Sequence, residues 1–275
     1  MAAPGGWSVP IETGPVEWLP VLDIPEPGRQ RRLTVLLRLL MLLPHFVVLF
    51  VLSFVATLAA IVGWFAALVT AELPEPIARF LAGYVGYYLR VGASAALLVD
   101  SYPPFSLTAP AGYPVQIELR PGRLNRLAVL FRIILMFPAA VIESLATGGW
   151  FAVSVLIWLW VLIAGRMPRP LFEATAAIAR YAFRLHAYGL MLTSAYPKRL
   201  FGDGPPDPRV EVRSATSPLR LSSAGAALLV LFLVLGLASN LAESLTSGND
   251  NDTSSSAERR TAPSVMPDLP RYVRT

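Results

Sequence analysis

The stretch that decides the fold is Leu33–Ala71, LTVLLRLLMLLPHFVVLFVLSFVATLAAIVGWFAALVTA, which holds one arginine, one histidine and no acid in 39 positions. About 20 consecutive apolar residues already span a bilayer, so this run belongs in lipid. Written as a helix, 39 residues reach roughly 58 Å, nearly twice the hydrocarbon thickness of about 30 Å. Pro44 offers a natural kink. The reading is an interfacial lead over Arg29–Leu43, whose arginines snorkel, followed by a tilted span over Pro44–Thr70.

The whole chain agrees with its most apolar part. Its 275 residues are 55% hydrophobic and only 15% charged, with a mean hydropathy of +0.55. Soluble domains carry about 25% charged residues. The chain therefore reads as an all-α integral membrane protein. It has no cysteine, which excludes disulfides, thiolate nucleophiles and iron–sulfur ligation. Two histidines, His45 and His186, offer little toward a metal site, so no cofactor is expected. The net charge of +5 suits basic flanks facing anionic lipid headgroups rather than nucleic acid. No cleavable signal sequence is expected, because the Pro/Gly-rich start lacks a basic segment before Leu33.

The apolar run is repeated. Shifting the chain by 94 positions superimposes Pro27-Gly28-Arg29 on Pro121-Gly122-Arg123, Arg38 on Arg132, Pro44 on Pro138 and Trp64 on Trp158. The same shift carries Pro74 and Pro76 onto Pro168 and Pro170, Arg90 onto Arg184, and Tyr102-Pro103 onto Tyr196-Pro197. Over Pro20–Pro103, about 23 of 84 positions are identical without an insertion. A tandem duplication follows.

Each copy reads in four parts: a short strand-like piece, a long apolar helix, a Pro-x-Pro turn and a less apolar helix. The strand pieces are Val21–Ile24 and Val115–Leu119. Arg209–Arg213 alternates in the same way, so a small surface sheet is one reading and extended linkers are another. The fourth parts, Ile77–Val99 and Leu171–Thr193, are long enough to cross but carry Arg79, Arg90, Glu173, Arg180 and Arg184. They could pack small residues against the long helix or lie in the interface. The division expected is an N-terminal extension at 1–19, membrane units at 20–105 and 106–201, and a linker at 202–222. A final transmembrane helix at 223–243 and a disordered tail at 244–275 complete it.

Charge gives an expected topology. If the fourth parts cross, both copies keep one orientation. Arg29, Arg31, Arg32, Arg120, Arg123, Arg126, Lys198 and Arg199 then share one side, as the positive-inside rule prefers. That is five crossings in a bacterial cytoplasmic membrane, N-terminus cytoplasmic and tail outside. If they do not cross, three spans remain and the copies are inverted, with basic flanks on both sides.

Arg90 and Arg184 sit deep in their helices, and a central arginine costs about 2.5–3.5 kcal/mol on insertion scales. Glu143 is the only acid within the long apolar segments. A candidate intramembrane network therefore joins Glu143 to Arg184 or Arg90; snorkelling arginines are the alternative. Neither histidine is duplicated, since His45 aligns with Ala139 and His186 with Gly92, so packing roles are expected of both.

The pattern Pro-Gly-Arg-x-x-Arg-Leu…Arg…Pro-His…Trp-Phe…Pro-x-Pro…Tyr-x-x-Arg…Asp-x-Tyr-Pro-Pro-Phe resembles an actinobacterial membrane family known only as a domain of unknown function, DUF4389. The likeness covers about 27–105 and 121–201, and the second copy departs at Ala139 and at Lys198-Arg199. It implies a multi-span membrane protein and brings no activity or catalytic residue. With no acid pair, phosphate loop or nucleophile–base spacing, no enzyme is expected. A non-enzymatic accessory, scaffold or regulatory subunit leads, with a membrane-protein partner or a homo-oligomer. A small transporter or lipid-handling protein acting as an oligomer is the rival.

Overall fold

A computed structural model describes residues 19–25, 28–119, 122–203 and 219–261. In chain order the elements are β1 (Val21–Asp23), α1 (Arg32–Thr70), α2 (Glu75–Ala95), β2 (Gln116–Glu118), α3 (Arg126–Leu130), α4 (Arg132–Ala164), α5 (Arg169–Gly189) and α6 (Ser223–Thr261). Three helical segments are long and apolar enough to cross a membrane: Arg32–Thr70, Arg132–Ala164 and Ser223–Ser244. The less apolar α2 and α5 are not among them.

Each copy is a helical hairpin closed by the same chemistry. Helix α1 ends where Ala71 turns left-handed at φ 61° and its N–H returns to Ala67 O. Pro74 then caps α2, and Pro76 occupies its first turn, where a missing N–H costs nothing. Gly165 at φ 69°, Pro168 and Pro170 repeat the turn before α5. Leu97 and Met191, another pair 94 apart, are both left-handed after α2 and α5. The long helix of the second copy is not seamless. Asn125 caps α3, which stops at Phe131, although Leu135 N–H still bonds Phe131 O and the rod continues into α4.

The two hairpins interlock through bonds that the duplication makes reciprocal. Gln30 N–H donates to Gly165 O at 2.8 Å, and Leu124 N–H donates to Ala71 O at 2.9 Å. The Trp158 indole donates to Val35 O at 3.0 Å, and the Trp64 indole to Val129 O at 2.9 Å. In every case donor and acceptor exchange copies under the shift of 94. The start of α1 therefore meets the end of α4, and the end of α1 meets the α3–α4 start. The two long helices are antiparallel, about a pseudo-two-fold axis. The five-crossing arrangement needs α1 and α4 to run in the same direction; the duplicated tryptophans and turns instead bind the opposite ends of the partner copy, so the rods run antiparallel.

The short strands pair antiparallel, Leu22 opposite Ile117, so the sheet also lies on the pseudo-two-fold. It packs over α2 and α5: Arg184 of α5 donates to Pro20 O, and Ile117 lies against Gly86 of α2. The third expected strand, Arg209–Arg213, lies outside the described residues. The layers are thus α1 with α4, then α2 with α5, then the sheet and loops. Burial follows this order. In α5, 14 of 21 residues are buried, which makes it core despite its polarity. In α1 only seven of 39 are buried, so its apolar flanks face outward.

Helix α6 runs antiparallel to α4 at backbone contact. A Cβ on Gly149 would sit 1.7 Å from Phe232 O, and one on Gly236 would sit 2.0 Å from Leu145 O. Glycine is required on both helices for this approach. The apolar part of α6 ends near Leu241, where a disordered tail was expected, yet the helix continues to Thr261; extending an existing helix is far easier than nucleating one.

Candidate functional site

The deep arginines find partners that charge reasoning did not foresee. Arg184 donates from Nη2 to Asp203 at 2.6 Å, and from Nη1 and Nε to the carbonyls of Lys198, Arg199 and Pro20. Arg180, one turn earlier, holds the other Asp203 oxygen at 2.7 Å. Burial works to raise the Asp203 pKa, but Arg184, the Leu219 N–H and Arg180 together hold it below the usual carboxylate range. Burial likewise draws Arg180 below its ordinary value, against the pull of Asp203.

Arg90 donates to Ser106 O at 2.5 Å and to Leu107 O at 3.3 Å. Burial draws its pKa down, against Tyr113 and Tyr87. Glu143 accepts from Thr147 Oγ1 within α4 at 2.9 Å. The structure therefore does not bring Glu143 to Arg90 or Arg184. Loop carbonyls and one acid beyond the repeat take that place.

Arg38, expected to snorkel with the other arginines of Arg29–Leu43, is instead buried, as is its repeat counterpart Arg132, because each carries one of a matching pair of tasks. Arg38 donates to Ser94 O at 3.1 Å and to Val99 O, and forms an ion pair with Asp100 at 2.7 Å. Arg132 donates to Tyr188 O at 2.6 Å and Thr193 O at 3.2 Å, positions 94 further on. Both guanidiniums thus sit at the C-terminal ends of α2 and α5, where Ser94 O and Tyr188 O also accept the Leu97 and Met191 N–H groups, and their charge complements the helix dipole. In the second copy Ser194 replaces Asp100 and the Tyr188 ring supplies a face, 4.2 Å from the Arg132 guanidinium carbon.

A further anchor joins α5 to α6. Glu173 Oε2 accepts from Ser222 N–H at 2.8 Å and from its hydroxyl at 2.6 Å, while Oε1 accepts from Arg169 at 3.1 Å. Ser222 Oγ accepts the Gly225 N–H at 3.1 Å, a serine N-cap on α6. Burial opposes ionisation of Glu173, yet these bonds hold its pKa below the ordinary value.

The first copy carries two further features. His45 is wholly buried, with Nδ1 2.6 Å from the Tyr87 hydroxyl and its ring stacked on Phe105 at 3.8 Å. Ala139 and Arg199 stand at the equivalent positions, which leaves the stack no counterpart. An open cavity of about 350 Å³ is lined by Arg31, Thr34, Arg38, Asp100, Ser101 and Tyr102 among others. Within it Thr34 and Arg38 both donate to Asp100. No group of three histidines or acids that could hold a metal is present among the described residues.

These paired arginines, carbonyls and turns define two equivalent units, and a family model coincides with them. The model, Domain of unknown function (DUF4389), matches residues 32–106 and 126–200. The chain belongs to the DUF4389 family. Each DUF4389 match starts where the long apolar rod begins and encloses the Arg38- or Arg132-type cap. The first extends to Ser106, whose carbonyl receives Arg90. Asp203, β1, β2 and α6 lie outside both DUF4389 matches. No curated protein and no solved structure matches the chain.

The DUF4389 arginines act here as crosslinks between helix and loop. Donors of Arg38, Arg90, Arg132 and Arg184 meet backbone carbonyls, and Arg38 and Arg184 also meet Asp100 and Asp203.

Proposed function

We propose that the protein is a non-enzymatic accessory, scaffold or regulatory component of the cell membrane that holds a partner against the bilayer. The observation that carries this reading is the use of the deep charges. Arg38, Arg90, Arg132, Arg180 and Arg184 are spent on helix ends, loop carbonyls and two aspartates. A carrier or lipid enzyme needs polar groups presented to a path or a reacting atom. The large uncovered surface instead consists of lipid-type side chains such as Phe50, Phe54 and Leu58.

A second reading, lipid handling by an oligomer, is favoured by the cavity at Arg31, Thr34 and Asp100, large enough for a headgroup.

Purification of the tagged protein in mild detergent from its own membrane, with mass spectrometry of co-purifying proteins and lipids, tests the two. A stoichiometric protein partner supports the accessory reading. A protein purified alone with one retained lipid class, lost in Arg31→Ala, refutes it in favour of lipid handling.

A further inference from the structure

We propose that the pseudo-two-fold axis is the membrane normal, so that α1 and α4 lie flat in one leaflet and the protein grips the bilayer from a single side. The inference rests on the membrane reading above and goes beyond it by naming the surface that meets lipid. The long apolar helices would otherwise be taken as spans.

The first line of argument is the layer order. Val35 and Trp64 mark the two contacts with the antiparallel partner rod, and they lie about 43 Å apart along α1. The axis relating the copies runs across these rods, through the α2–α5 layer and through the sheet. If α1 and α4 stood upright, that axis would lie in the membrane plane and the sheet would sit at mid-depth. Gln116 and Glu118 are exposed there. An exposed acid at that depth would be costly and would face lipid. Laid flat, the same molecule puts the sheet in the headgroup and water region. Its uncovered rods, with Leu40, Phe50 and Val69 on α1 and Ile133, Phe137 and Leu156 on α4, then enter the hydrocarbon. A helix about 10–12 Å across fits within a leaflet core of about 15 Å. Helix α6, antiparallel to α4 at Gly149 and Gly236, shares that layer.

The second line is charge. Arg29, Arg31 and Arg32 share a corner of the molecule with Arg166 and Arg169, because Gln30 bonds Gly165. Arg123 and Arg126 share the opposite corner with Glu72, to which Arg123 is paired at 3.3 Å. Upright rods would divide these basic clusters between the two sides of the membrane, against the positive-inside rule. Flat rods place both corners on one side, facing the anionic cytoplasmic leaflet, where each arginine near the surface contributes about 1 kcal/mol.

The chain has no cysteine, so single replacements label without background. Arg29→Cys, Glu75→Cys, Thr108→Cys and Arg166→Cys place probes at both corners and on the loop layer, with Arg123→Cys standing in if Glu75→Cys does not accumulate. Carbonate-washed membranes first establish membrane insertion, and loss of the protein there would refute the membrane reading itself. An impermeant maleimide is then applied to right-side-out and inside-out vesicles. Labelling of all positions from the cytoplasmic side alone is expected. Labelling of Arg29→Cys and Arg166→Cys from one side with Glu75→Cys from the other would overturn the proposal in favour of upright, inverted spans. Labelling of Glu75→Cys and Arg166→Cys together against Arg29→Cys and Thr108→Cys would overturn it in favour of five crossings.

Discussion

Asp203 is the residue whose loss the structure predicts to be most damaging for its size. Its carboxylate holds Arg180 at 2.7 Å and Arg184 at 2.6 Å, with side chains only 14%, 5% and 4% exposed, and it accepts the Leu219 N–H at 3.0 Å. Removing one member of a buried ion pair costs about 3–5 kcal/mol, because a desolvated charge is left behind. Arg184 keeps its carbonyl acceptors at Pro20, Lys198 and Arg199, which places Asp203→Ala near the lower end, about 3 kcal/mol. For a chain of this size that corresponds to a fall in Tm of about 6–12 °C. Tryptophan fluorescence during heating in a mild detergent reads it, with the exposed pair partner Glu75→Ala as control. The pH dependence supplies the sign. The folded pKa of Asp203 is lowered, so its contribution is complete above the unfolded pKa of about 3.9 and is lost as pH falls through the folded value. The wild type should lose its advantage over Asp203→Ala on acidification below about pH 4. An Asp203→Ala Tm equal to that of the control at neutral pH would refute this account of the α5 arginines.

Three other substitutions probe separate parts of the fold. Gly149→Ala should cost roughly 1–3 kcal/mol, since the new Cβ would meet the Phe232 backbone and α6 must withdraw, whereas Gly92→Ala, with open space around it, should gain up to about 1 kcal/mol; equal effects in thermal unfolding would contradict the α4–α6 packing. Trp64→Phe and Trp158→Phe each remove one bond between the copies and should lower stability by similar amounts, about 0.5–1.5 kcal/mol; a large difference would count against the pseudo-two-fold. Glu173→Ala should release the start of α6, seen as new protease cleavage near Ser222, while leaving the α1–α2 hairpin intact; unchanged cleavage would show that Ser222 caps α6 alone.

Much of this was legible in the residues. The shift of 94 that aligned Trp64 with Trp158 and Arg38 with Arg132 also relates their bonds, and the Pro-x-Pro turns fall where α2 and α5 begin. What stayed hidden was relational. Two tandem copies standing upright in the bilayer in five crossings would run their long helices parallel, and periodicity says nothing of which end of one rod meets the other. Glu143 looked like the partner of Arg184 because it was the sole acid in an apolar helix. Asp203 follows the repeat in a Gly-Asp-Gly sequence, and the carbonyls that hold Arg90 and Arg132 have no side-chain signature. Glu173 was visible as a charge on the face of Arg180, but its role depends on Ser222, 49 positions later.

The antiparallel interlock of the two units is the claim on which the rest stands, and crosslinking in native membranes tests it most directly. The paired replacements Glu72→Cys with Arg123→Cys, and Arg32→Cys with Ile163→Cys, join side chains or backbone that touch across the copies. Both pairs should form intramolecular disulfides on mild oxidation, while Arg32→Cys with Arg126→Cys, at the far ends of antiparallel rods, should not. Efficient crosslinking of Arg32→Cys to Arg126→Cys, with neither of the other pairs, would mean that the rods run parallel and would contradict the account.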